Sequence, residues 1–218
     1  MNKEWSELNK TMQAQIKKKD TYKMGIDTLF NLRRQLMQTL VSFKEDLCRE
    51  DFNAIPFINA DGYHSKTIAY SIWHIFRIED IVAHTVITED EQVFFTGNYQ
   101  VRINSPIITT GNELVKQQIA DFSKQLNLEE LYSYIFEVRE STEKILERFS
   151  YDELKWKIPD ERKGYLKSLN VVNCDEKAIW LIDYWCSKDI RGLIQMPFSR
   201  HWIMHTEACL RIKNKIRS

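Results

Sequence analysis

The sequence predicts an all-α fold, a four-helix bundle with additional helices and one irregular insertion, and three observations carry that expectation. Apolar residues recur at three- and four-residue spacing over several long stretches, the periodicity of a helix with one buried face. Glycine and proline are scarce, 6 and 4 in 218 residues, so turns are few and elements long, which argues against a sandwich or barrel. Hydrophobic residues make up 43% of the chain and aromatics 12%, enough to fill a core, and the length suits one domain over 1–218.

Residues 1–20 are polar and read as an N-terminal arm or a fraying helix. From about Met24 to Cys48 the residues Ile26, Leu29, Phe30, Leu36, Leu40, Phe43 and Leu47 fall at helical spacing. The break DFNAIPFINADG follows, punctuated by Pro56 and Gly62. A second helix is predicted from about Lys66 to Ile87. The stretch 88–111 holds Gly97, Asn98, Pro106 and Gly111 with β-branched residues between them, and reads as an irregular insertion or a short hairpin. Two more helical patterns lie near 112–126 and 128–149. Residues 150–174 are loop-like, with Pro159 and Gly164, and a helix near 175–190 leads into the last one, near 197–216. That helix ends in Arg211, Lys213, Lys215 and Arg217, cations placed where the helix dipole is negative.

Lys+Arg and Asp+Glu are 31 each, so the formal net charge is zero and there is no basic excess of the kind phosphate-gripping chains carry. Nucleic acid is therefore not an expected partner. No run of about 18 apolar residues occurs, so no membrane span is expected. The opening residues MNKEWSELNK lack the apolar run of a signal peptide, and Cys48, Cys174, Cys186 and Cys209 form no CxxC pair. The expectation is a reduced, cytoplasmic protein.

The chain has five histidines, His64, His74, His84, His201 and His205. On a helical wheel of the last segment, Phe198, Trp202, His205, Cys209, Ile212 and Ile216 share one stripe, with His201 on its shoulder. Two imidazoles at i and i+4 point to one spot, which is how a helix offers two nitrogen ligands to one metal. On the second helix His74 falls within the arc of Ile72, Ile75 and Ile78, while His84 falls beside Arg77 and Asp80 on the polar side. Three inward histidines on two helices can converge in a bundle core, where metal sites are commonly built. Left unpartnered there, each would cost about 1–3 kcal/mol. His201 and His205 do not make a zincin motif, because Trp202 stands where HExxH has its glutamate base.

Two further residues bear on such a site. Cys209 follows His205 by four residues and is read either as a fourth, thiolate ligand or as a small core residue. Glu79 lies amid apolar positions and needs a partner: it is either a supporting group or general base at the metal, or the mate of an arginine on a neighbouring helix. Trp73, Trp180, Trp185 and Trp202 are read as core packing, and nothing assigns His64 a role.

The strings SIWHIFRIED, around His74, and SRHWIMHTEA, around His201 and His205, resemble the metal-ligand segments of DinB-like proteins, the superfamily that includes YfiT-type metal-dependent hydrolases. The order of ligands agrees, and the resemblance covers mainly residues 24–90 and 128–216. It implies a four-helix bundle with a three-histidine site for one divalent ion, Ni, Zn or Fe, held here by His74, His201 and His205. Some members transfer low-molecular-weight thiols such as bacillithiol or mycothiol to electrophiles, and others are thought to be hydrolases. The family often carries HRGQ at the last ligand, where this chain reads HTEA. The expected function is a metal-dependent enzyme acting on a small molecule, of thiol S-transferase or hydrolase type; the alternative is a non-catalytic metal-binding or stress-response bundle. Three histidines with an open position make a catalytic metal site, and a cysteine in that position would close it. The partners allowed for are a small-molecule substrate, a low-molecular-weight thiol among the candidates, and a second copy of the chain in a homodimer.

Overall fold

The computed structural model describes residues 2–218, and among them the regular elements are all helical, with one isolated antiparallel bridge between Lys157 and Asp189. The chain runs through α1 (Lys3–Gln15), α2 (Tyr22–Asp46) and α3 (Arg49–Asn53), then α4 (Ile68–Asp80), which continues into a π-helical segment, Ile81–Thr88. The short α5 (Val93–Thr96) and α6 (Tyr99–Arg102) precede α7 (Gln117–Gln125) and the long α8 (Leu128–Arg148). After them come α9 (Glu161–Ser168), α10 (Glu176–Cys186), α11 (Ile190–Gln195) and α12 (Arg200–Arg217).

Four of these helices close a ring: α2 packs on α8 and α12, and α4 packs on the same two from the other side. Outside the ring, α3, α5 and α7 pack on α4. Every residue of α4 from Ile68 to Asp80 is buried, its charged Arg77, Glu79 and Asp80 included. A helix of that kind has no wet face and sits in the middle of a protein. Thr67 starts it by accepting the backbone N–H of Tyr70 on its hydroxyl.

Three segments differ from the sequence expectation. The N-terminal arm is a packed helix: α1 lies along α2 with Trp5 and Met12 buried, followed by the buried Ile16, and its polar remainder faces solvent. The stretch 88–111 contains no hairpin; its β-branched residues belong to α5, α6 and the turns after them. Residues 150–174, expected as loop, include α9, which sets Arg162 and Leu166 into the core. Trp180 also departs from the expected core role, being 49% exposed, whereas Trp73, Trp185 and Trp202 are buried.

The core is in two parts. One contains Leu36, Leu40, Ile72, Trp73, Tyr132, Ile135 and Trp202, the other Leu29, Ile78, Val82, Leu146, Trp185 and Phe198. Between them lies a buried polar layer. Arg33 of α2 makes a two-pronged ion pair with Glu79 of α4, at 2.7 and 2.9 Å. Its third nitrogen reaches Glu143 of α8 at 3.1 Å, and it also donates to the carbonyl of Phe198, just before α12. Trp202 of α12 donates its indole N–H to Glu79 at 2.7 Å, and the Arg33 guanidinium lies over the Trp202 ring. Burial alone would pull the Arg33 pKa down, but Glu79 and Glu143 outweigh it and hold that pKa above its ordinary value. One arginine thereby ties all four helices of the ring together. Glu79 takes the second of its two expected roles, paired with an arginine of a neighbouring helix.

Candidate metal centre

His201 and His205 stand one turn apart on α12, and His74 projects from α4 against them. One ligand atom from each lies within 4.8 Å of the others. The ring centroids are 5.0 Å apart for His74 and His201, 4.9 Å for His74 and His205, and 4.6 Å for His201 and His205. All three are buried. Cys209 lies outside the cluster. Its thiol sits beside the Ser71 hydroxyl in the core, and burial pushes its pKa up to about 12.

Each histidine is held neutral. Burial pushes the His74 pKa down to about 4; the Thr110 carbonyl works against that and the Lys66 charge adds to it. Burial also lowers His201 well below the ordinary histidine value, and next to burial the His74 charge acts in the same direction. His205 is lowered likewise, first by burial and then by His201 and His74. Neutral imidazole is the ligating form, so the cluster needs no proton to leave before a metal enters.

The hydrogen bonds of the rings show how well they fit an ion. His74 Nδ1 lies 2.7 Å from the carbonyl of Thr110, an acceptor only, so Nδ1 carries the proton and Nε2 has the free lone pair. The Nδ1 atoms of His201 and His205 are buried with no hydrogen-bond partner. Two orphaned ring nitrogens in one core are costly on their own, and a metal taken on Nδ1 of each ring would relieve them. The residues present therefore fit a three-nitrogen metal site.

Sequence reasoning did not find what orients His74. Tyr70 stacks on its ring at 5.3 Å and donates its hydroxyl to the carbonyl of Gly111 at 2.9 Å. Gly111 has φ +75, and a Cβ there would come within 2.8 Å of Trp73. Glycine is therefore required where the insertion turns in to present the Thr110 carbonyl. Further back, Arg77 grips the Ile108 carbonyl with two N–H groups at 3.0 and 2.8 Å and the Gln92 side chain at 2.6 Å. Asp80 accepts the backbone N–H groups of Val93 and Phe94 at the start of α5 and the Tyr134 hydroxyl. Burial raises the Asp80 pKa, and Arg77 opposes it.

His84 corrects the helical-wheel reading. It was expected to point outward, and it is buried at 6% exposure. The polar side of α4 that the wheel identified is covered by the insertion, and Arg77, Asp80 and His84 are the groups that hold it. His84 Nδ1 meets Asp90 at 2.6 Å and Nε2 meets the Ser141 hydroxyl at 3.0 Å. That order of groups matches a hydrolytic triad in outline. Ser141 stands mid-helix on α8, where the neighbouring backbone N–H groups are spent within the helix and are not free to serve as oxyanion donors. Asp90 also accepts the Thr88 hydroxyl, and its own N–H bonds the His84 carbonyl, so the trio closes the end of the π-helical segment.

His64 lies at the rim of the site. Its ring lies 4.0 Å from Tyr63, whose own ring is 5.9 Å from His205, and it is not part of the cluster. In front of the histidines opens a cavity of about 590 Å³ lined by His74, His205, Tyr70 and residues of 58–66 and 112–116. That volume is in the range of small-molecule sites. No helix is long and apolar enough to cross a membrane among the described residues.

No protein-family model matches the chain, and no curated protein matches it.

Proposed function

We propose that this protein is a DinB-like four-helix-bundle enzyme that holds one divalent ion, Ni, Zn or Fe, on His74, His201 and His205. It acts on a small molecule, as a thiol S-transferase or a hydrolase. The observation that carries this reading is the convergence of three buried, neutral imidazoles within 4.8 Å, two with orphaned nitrogens, beside a cavity of about 590 Å³. The ring formed by α2, α4, α8 and α12 and the ligand order along the chain support the family assignment. A divalent ion in such a site supplies Lewis acidity toward a bound oxygen or sulfur.

The chain's own residues do the rest. The Thr110 carbonyl fixes the His74 tautomer, and Tyr70 fixes the plane of its ring. The thiol of Cys209 stays in the core, outside the cluster, which supports a site with room for substrate. Tyr70 is held protonated well above its ordinary value by burial, and next by the Glu113 charge; its hydroxyl is committed to Gly111. It therefore packs and orients, and does not donate a proton to substrate.

Protein purified without added metal should carry close to one divalent ion per chain by elemental analysis, and His201→Ala should lose it. Wild-type protein that stays empty after incubation with Zn, Ni and Fe would overturn the reading.

A further inference from the structure

The cavity in front of the histidines has an uneven charge. Lys66, Lys116 and Lys177 line it, and Asp61 is the one acidic residue among its walls. Lys177 has a part-exposed carboxylate partner, Asp175, at 3.5 Å. Lys66 has none: among the described residues no carboxylate lies within ion-pair distance of it. Its ammonium sits instead 5.1 Å from the centre of the Tyr70 ring, on the same tyrosine that stacks against His74. It is close enough for its charge to lower both His74 and His205. Burial brings its own pKa down to about 8, so it is mostly charged at neutral pH while poorly solvated.

An ammonium taken out of water without a counter-ion costs free energy, and an anion arriving beside it returns that cost. Nearby, the Oδ1 atom of Asn112 is buried on the cavity wall with no partner. It offers an acceptor for an N–H or O–H of the same ligand. We propose that the cavity selects a small anion, seating a carboxylate or phosphate group on Lys66 while the rest of the ligand reaches His74 and His205. The reacting end rests on the metal reading above; the Lys66 seat does not, because it is built from the chain alone.

Calorimetric titration of three probes tests this: succinate, inorganic phosphate, and the neutral succinamide. Each is titrated into metal-stripped and metal-loaded protein. At least one anion should bind the stripped protein, more weakly as NaCl rises, and succinamide should not bind. The better of the two anions names the class. Lys66→Met, which keeps the stem over Tyr70, should weaken that binding about tenfold or more, and Lys66→Arg should restore most of it. Metal content should be unchanged in both variants.

The proposal is overturned if neither anion binds, if succinamide binds as well as succinate, or if Lys66→Met binds the anion as wild type does. Should Lys66→Met fail to fold, the succinamide comparison and the salt titration on wild-type protein decide alone. Loss of metal reading and loss of anion seat are separable, since a protein that takes no metal still reports on Lys66 in its stripped form.

Discussion

At the scale of the residue, the three histidines are defined by what surrounds them. His74 has a carbonyl on one nitrogen and a stacked tyrosine, and its folded pKa is pushed from 6.5 down to about 4 by burial. The sign of the consequence follows. Above the unfolded value both states are neutral and nothing is lost. As pH falls from 6.5 towards 4, the unfolded chain takes a proton that the folded chain refuses, and stability falls. For His74 alone the loss is about 3 kcal/mol at about 1.4 kcal/mol per pH unit. His201 and His205 shift in the same direction. Urea midpoints of metal-stripped protein should therefore drop between pH 6.5 and 4.5, and a bound ion should raise the midpoints throughout that range without shifting the onset of the drop, which the unfolded chain sets. A flat midpoint for stripped protein over this range would show that the histidines are not held neutral. The histidine cluster was legible in the sequence because spacing alone puts two imidazoles on one face of α12 and one inside α4. Lys66 and Thr110 were not: a carbonyl has no side-chain signature, and a lysine before a helix looks like any solvated cation.

At the scale of the element, the segment between α4 and α7 is the part that sequence patterns described least well. Arg77, Asp80 and His84 form a polar face on the wheel, and a polar face is ordinarily a wet one. Here backbone groups of the insertion meet Arg77 and Asp80, and the Asp90 carboxylate meets His84, so the same residues are buried. The π-helical segment adds to the difference, since its wider turns break the 100° spacing on which the wheel for His84 depends. The insertion's end is fixed by Gly111, and Gly111→Ala tests its role. A methyl there meets Trp73 at 2.8 Å in a backbone conformation that disfavours side chains, so the Thr110 carbonyl must move. The variant should fold with a loss of about 1–3 kcal/mol and bind metal about tenfold or more weaker, the range seen when a supporting partner of a ligand is lost. Metal affinity equal to wild type would mean that Thr110 does not orient His74.

At the scale of the whole molecule, the ring of α2, α4, α8 and α12 and the polar layer through its middle set where the three histidines stand. Helical periodicity showed that long helices exist, but not which arginine meets Glu79, since that depends on how four helices dock. Arg33 binds Glu79 on α4 and the carbonyl preceding α12, so it sets the height of His74 against His201 and His205 without touching any of them. Glu79→Gln leaves a buried guanidinium short of its main counter-charge. The expected cost is about 3 kcal/mol or more in chemical denaturation, with metal affinity falling alongside. A variant of wild-type stability would show that Glu143 suffices for Arg33.

That layer also partitions the molecule's motions. With ionic and hydrogen-bonded groups separating two apolar bodies, the cheapest place for the protein to open is across the layer rather than through either body. Amide exchange should then report two cooperative units along the same helices, with α2, α4 and α8 each changing character part-way along and α12 belonging to one unit. The histidines on α12 fall on one side of that seam with Trp202, while Phe198 and α11 fall on the other. An ion bound at the histidines should slow exchange on its own side first, so protection by Zn should rise in α12 before it rises in α11.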